Sequence, residues 1–215
     1  MGKVNSIFKV NGKLDGYVYY KLNGKRVVRK VAGKKRGPKS KAQKENEVRT
    51  TEFGKASSAG KFLRAALAEE CRHMNDGYLY QRVNKLMLDL KASDGAEPGL
   101  RTPAGGLGTT AGEALIRDFR FHKRHGHFPK LNSAVRRAGT ATLALSPART
   151  AIGGVTELQI NFENGDFRKH VHAAPELSSQ NRMELKMNFR RKKGFTELLL
   201  IWGDGFLQGV VVTEK

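Results

Sequence analysis

The chain has one cysteine, Cys71, in 215 residues. A single thiol excludes an intramolecular disulfide framework and an all-cysteine metal site within one chain. Its setting in an alanine-rich helical stretch favours burial over catalysis. No window approaches the roughly 18 uninterrupted apolar residues of a membrane-spanning helix. The first residues, M-G-K-V-N-S-I-F-K-V, lack the apolar core of about 7 to 15 residues that precedes a signal cleavage site. No secretory signal is expected, and cytoplasmic residence is the expectation.

Catalytic signatures are missing too. There is no G-x-x-x-x-G-K-[ST], no G-x-S-x-G, no H-E-x-x-H and no D-x-[DN]-x-[DN]-G loop. Gly105-Gly106-Leu107-Gly108-Thr109-Thr110 resembles a phosphate loop in composition, but no strand precedes it and no lysine completes it, so it reads as flexible linker. His122, His125 and His127 cluster, and His170 and His172 share a strand face, yet Lys123 and Arg124 intervene and oppose a cation. Solvated or phosphate-facing histidines are the plainer reading than a zinc site. No enzymatic activity, cofactor or metal is expected.

Charge of one sign is what the chain has in excess. Lys plus Arg total 40 against 20 acidic residues, a net charge of +20. Residues 1–44 hold 14 of those cations and one acid, Asp15, whereas residues 61–100 hold six of each sign. Residues 101–215 hold 18 cations and 10 acids. A front-loaded positive field of this size implies attraction to polyanions.

Asn23-Gly24 between Tyr17–Leu22 and Lys25–Val31 specifies a type I′ hairpin, and Ser6–Val10, followed by Asn11-Gly12-Lys13, supplies a candidate third strand. Residues 34–44 have no apolar periodicity and are punctuated by Gly37-Pro38, which predicts an extended arm. From Thr51 the period becomes helical: Ala59, Leu63, Ala66, Leu67 and Cys71 form one stripe. After a polar break, His73-Met74-Asn75-Asp76, in which Asn75 or Asp76 can cap, Leu79, Val83, Leu86, Met87 and Leu90 form a second stripe. Ser93–Gly112, rich in glycine and containing two prolines, reads as a linker.

Downstream, strand-like runs are Phe119–His122, Ala141–Leu145, Val155–Phe162, Phe167–His172, Met183–Phe189, Glu197–Trp202 and Phe206–Thr213. Asn164-Gly165 is a second hairpin signal, and Leu198–Ile201 reads as a central strand. The expected fold is α+β: a hairpin or meander (1–33), a basic linker arm (34–50), a helical hairpin (51–92), a flexible linker (93–112) and an immunoglobulin-like antiparallel β-sandwich (113–215).

Candidate nucleic-acid-binding residues follow from charge and aromaticity. In the hairpin they are Tyr17, Tyr19, Tyr20, Lys25, Arg26, Arg29 and Lys30; in the arm, Lys34, Lys35, Arg36, Lys39 and Lys41; and downstream, Arg190, Arg191, Lys192 and Lys193. Cations bind phosphates by releasing counterions, and aromatics stack unpaired bases. Lys34-Lys35-Arg36-Gly37-Pro38-Lys39 resembles the minor-groove hook of some DNA-binding proteins, but the hook has Arg between Gly and Pro; the segment reads as a nonspecific electrostatic arm.

The segments G-K-L-D-G-Y-V-Y-Y-K-L-N-G-K-R-V-V-R-K (12–30) and K-E-N-E-V-R-T-T-E-F-G-K-A-S-S-A-G-K-F-L-R (44–64) resemble a family of small basic Bacteroidota proteins of uncharacterised activity. The resemblance covers about the first third of the chain and implies the hairpin-then-helix plan without assigning functional residues. The expectation is a non-enzymatic binder of DNA or RNA with little sequence specificity. The alternative is a self-assembling structural protein of a filament, virion or surface particle that exchanges strands between subunits.

Overall fold

A computed structural model describes residues 2–3 (backbone only), 10–33, 37–72, 74, 76–123, 126–146, 150–173, 178 and 180–214. The chain divides into two compact units, residues 1–41 and 42–215.

The first unit is an antiparallel sheet of β1 (Gly2–Lys3), β2 (Gly12–Leu14), β3 (Tyr17–Leu22) and β4 (Lys25–Lys30), in the order β1-β4-β3-β2. The β3–β4 turn is the one Asn23-Gly24 specifies, with φ of 47° and 78° at its two residues. Of the expected third strand, Ser6–Val10, residues 6–9 lie outside the described residues; the strand joined to β3 is β2, through Asp15-Gly16 at φ 46° and 75°. Asp-Gly meets the same left-handed requirement one turn later, so Gly12 and Lys13 are strand rather than turn. Val27 is the one buried apolar side chain among the described residues of this unit. The described strands are held to one another by the backbone ladder and by cross-strand pairs.

The helix α1 (Lys41–Ala66) starts at the last residue of the first unit and makes up the beginning of the second; it starts ten residues before the helix the apolar stripe marks. The arm as irregular chain thus ends at Ser40. Residues 41–50 are almost all exposed, so no stripe announces them. They are helical on other grounds: Ser40 and Gln43 have capping-box spacing, and Glu45 lies one turn before Arg49. The Thr50 and Thr51 hydroxyls donate back to the Asn46 and Glu47 carbonyls.

After α2 (Ala68–Arg72), α3 (Leu79–Ala92) returns antiparallel to α1. Glu52, in the first half of α1, takes the Lys91 ammonium at 2.9 Å, while Arg64, near its end, donates to Asn84 Oδ1 at 2.9 Å. Both expected stripes are buried between them and the sheet. Cys71 is partly buried, and burial pushes its thiol up to about 11. Asp76 accepts from the Tyr78 N–H at 2.9 Å, but the cap position itself is Tyr78, without a side-chain bond; Asn75 lies outside the described residues.

The stretch read as a flexible linker is instead packed structure, with α4 (Pro103–Leu107) and the start of α5 (Thr110–Asp118) in its second half. Thr102 and Thr109 cap these helices through their hydroxyls. A Cβ on Gly106 would overlap the Leu90 carbonyl oxygen, and one on Gly112 the Gly106 carbonyl oxygen. These glycines are contact residues: they let α4 touch α3, and α5 touch α4, backbone to backbone.

The strands β5 (Leu131–Arg137), β6 (Thr140–Leu145), β7 (Gly154–Ile160), β8 (Phe167–Ala173), β9 (Arg182–Lys186), β10 (Thr196–Gly203) and β11 (Phe206–Glu214) form one sheet, ordered β8-β7-β10-β11-β5-β6-β9. All pairs are antiparallel except β11 with β5. The expected immunoglobulin-like sandwich is replaced by this single curled sheet under helices. Phe119–His122 is no strand and contributes only an isolated bridge from Arg120 to Gln208. The Asn164-Gly165 hairpin does join β7 to β8, closed by bonds between Asn161 and Asp166 and between Asn161 and Gly165.

The physical reason lies in the middle strands. Leu158, Leu198, Leu200 and Leu207 face the helices, while Val155, Leu199, Ile201, Phe206 and Val210 face the other way. That second face is covered by Leu131, Leu143, Met183 and Leu185 of the sheet's own far half. The curl closes far enough for Asn188 and Phe189, just past the edge strand β9, to bond Glu157 of β7.

Gly106→Ala is expected to cost at least about 3 kcal/mol, because backbone rather than a pliable side chain blocks the new methyl. Gly108→Ala, whose Cβ would meet only Gly105 O at 3.4 Å, should be near neutral. Urea denaturation of the two variants checks the contrast.

Candidate nucleic-acid interface

Strand register sorts the expected hairpin residues onto two faces. Residues directly opposite share a face, and pairs alternate along the ladder. The pairs Tyr17–Lys30, Tyr19–Val28 and Lys21–Arg26 make one face; Val18–Arg29, Tyr20–Val27 and Leu22–Lys25 make the other. Tyr17, Tyr19, Arg26 and Lys30 are therefore brought together, and Tyr20, Lys25 and Arg29 are brought together on the reverse. Arg29 lies over the Tyr20 ring, its guanidinium carbon 5.9 Å from the ring centroid. Lys21 joins the first face and Lys13, opposite Val18, the second. Sequence reasoning missed both, although counting by twos from Tyr17 and Tyr19 reaches Lys21 directly.

In the arm, Lys34, Lys35 and Arg36 lie outside the described residues. Lys39 stands in the exposed irregular stretch 37–40, and Lys41 opens α1.

Arg190–Lys193 occupy the connection between β9 and β10, which turns at Lys192–Phe195 with Gly194 at φ 80°. A buried polar cluster fixes this connection. Glu157, 1% exposed, accepts from the Asn188 and Phe189 N–H groups at 2.8 and 2.9 Å and contacts His172 Nε2 at 3.0 Å. Gln159 donates to the Arg190 carbonyl and to Glu197, and Arg136 bridges Glu197 to the Phe189 carbonyl. Buried polar groups need partners, and here the partners are the backbone of the loop itself.

The side chains on this loop are held less firmly. Arg191 pairs with Glu214 at 2.6 Å where both are exposed, an interaction worth under about 1 kcal/mol. Lys192 Nζ sits 4.3 Å from the Phe195 ring centroid. Beside the loop lie two residues of β8 that sequence reasoning left out of the interface: Arg168, opposite Gln159, and His170, whose ring centroid is 6.5 Å from that of Phe189. Among the described residues the sheet order ends at β8, which places this basic strand at an edge.

His122 is not solvated. It is 6% exposed, and its Nδ1 contacts the backbone of Leu207, taking the Leu207 N–H at 3.3 Å. Burial pushes its imidazole below the ordinary range, assisted by the charges of Arg120 and Arg82 and opposed by the Leu207 backbone. His127 is exposed, and His125 lies outside the described residues. Among the described residues, no group of three or more His, Cys, Asp or Glu side chains is placed to hold a metal ion.

No protein-family model matches the chain, and no curated protein or solved structure matches it either.

Glu157→Gln should cost about 2 kcal/mol in urea denaturation, since a carboxylate accepting two backbone N–H groups is replaced by an amide that offers one oxygen. Faster amide exchange at Asn188 and Phe189 would show that the loop is what loosens. For His122, the unfolded chain binds a proton below about pH 6.5 that the folded chain refuses until lower pH. Its contribution to stability is therefore lost as pH falls below that point. Between pH about 7 and 5 the wild type should lose stability more steeply than His122→Gln, in thermal melts run in parallel.

Proposed function

We propose that this protein binds nucleic acid without acting on it chemically, through the basic hairpin and arm and mainly through phosphate contacts. The observation that carries the reading is the β3–β4 register, which sets Tyr17 and Tyr19 beside Lys21, Arg26 and Lys30 on one face. Alternating rings and cations suit a single strand: cations follow the phosphates and tyrosines stack on bases without selecting among them. The arm adds charge without shape, which strengthens attachment to any polyanion. Arg168 and Arg190–Lys193 supply further phosphate contacts on the second unit.

Self-assembly by strand exchange is the second reading, and what favours it is the place of β8 at the end of the sheet among the described residues. That edge carries Arg168, Lys169 and His170, the kind of charge that discourages edge-to-edge pairing. Light scattering at high salt separates the two readings, because strand-mediated assembly survives screening that strips nucleic acid.

The direct test titrates the full chain with a single-stranded oligonucleotide across a salt series. Replacing Lys21, Arg26 and Lys30 together by Ala should flatten the dependence of log affinity on log salt by about two units, at about 0.7 per lost contact. Tyr17→Ala with Tyr19→Ala should weaken binding by about 1 to 3 kcal/mol per lost stack while leaving the slope in place. Unchanged binding in both variants would sink the hairpin reading.

A further inference from the structure

Trp202, the only tryptophan of the chain, lies near the end of β10 with its benzo ring against Gly153 and Gly154. A Cβ on Gly154 would come within 2.6 Å of the ring's Cζ2, and one on Gly153 within 2.9 Å of Cζ3. Two successive glycines thus form a seat that any side chain would fill. Alongside the indole opens a cavity of about 380 Å³, lined also by Met74, Val171, Glu69, Glu70 and Asp204. Among the described residues its lining holds three carboxylates and no cation, in a chain whose net charge is +20.

The carboxylates are only partly neutralised. Lys169 reaches Glu69 at 2.5 Å and Glu70 at 3.4 Å, and the Thr156 hydroxyl donates to Glu70 at 3.0 Å. One ammonium shared between two carboxylates leaves negative charge over, with Asp204 beyond it and Arg72 offsetting part of the field at longer range. Glu70 is held in place by these bonds, whereas the Glu69 side chain is 71% exposed and Asp204 is exposed at the rim.

We propose that this pocket receives a lysine or arginine side chain from a basic segment of a partner protein. The match is one of charge and of shape. A cation above an indole and near carboxylates is stabilised by both, and the aliphatic stem of the incoming side chain lies on Met74 and Val171. A guanidinium, planar and weakly hydrated, stacks on the ring better than an ammonium does. Phosphates are repelled by the same carboxylates, so the site is distinct from the nucleic-acid interface and independent of it.

Because Trp202 is the sole tryptophan, its emission reports on this pocket alone. Titrating the full chain with an oligoarginine peptide should give a saturable emission change, with a weaker one for oligolysine and none for a glycine-serine peptide of equal length. Glu69→Gln and Asp204→Asn, both at exposed positions that the fold tolerates, should each weaken binding by up to about five-fold. Glu163→Gln, an exposed carboxylate outside the pocket, should leave it unchanged. An emission change with the neutral peptide, or with a single-stranded oligonucleotide alone, would overturn the proposal. So would equal affinities of the wild type and the Glu69→Gln/Asp204→Asn double variant.

Discussion

The second unit depends on the need to cover β7, β10 and β11 on both faces. A strand such as Leu198–Ile201, apolar at every position, cannot have a wet side. The helices satisfy one face with the stripes of α1 and α3. The other is satisfied by the sheet itself, which curls until β5, β6 and β9 lie across it. One economical solution follows: a single sheet supplies both a layer and its own cover. The cost is polar residues caught inside the curl, and these fix the loop before β10. Glu157, Gln159 and Glu197 are buried where the second face meets the far edge, and each is satisfied at least in part by the main chain or side chains of that region. The same closure that buries hydrophobic residues therefore positions Arg190–Lys193.

Local signals in the sequence were legible where geometry demands a particular residue. Asn23-Gly24 specified its turn because few other pairs accept two left-handed residues in succession. The stripes of α1 and α3 were legible because burial is one-sided there. The strand β5 escaped for the opposite reason: it holds few apolar residues, and its turn is Ala138-Gly139, with the alanine at φ 47°. Alanine carries no mark of that conformation. Glycines in 93–112 were ambiguous for a similar reason, since sequence does not distinguish a glycine that frees the chain from one that lets two backbones touch. Only the placement of Leu90 against Gly106 resolves it.

The candidate site was legible as composition and illegible as arrangement. The hairpin tyrosines and four of its cations, Lys25, Arg26, Arg29 and Lys30, were visible, but their division into two faces, and the place of Lys21 on the first, depend on cross-strand register, which pairs Tyr17 with Lys30 rather than with a nearer neighbour. Sheet order likewise set Arg168 and His170 beside the 190–193 loop, across a separation that no local pattern spans.

Among its described residues the hairpin unit buries one apolar side chain, Val27. The ribbon of β2, β3 and β4 is set by its turn residues, its main-chain ladder and its cross-strand pairs, most of whose side chains are exposed. Surface chemistry and folding are thereby uncoupled. Exchanges among exposed positions alter what the ribbon attracts while leaving the ribbon intact, which makes it a region where affinity can be retuned by successive substitutions with few structural penalties. The curled unit, with glycines fitted to carbonyls and carboxylates fitted to amides, offers no such latitude.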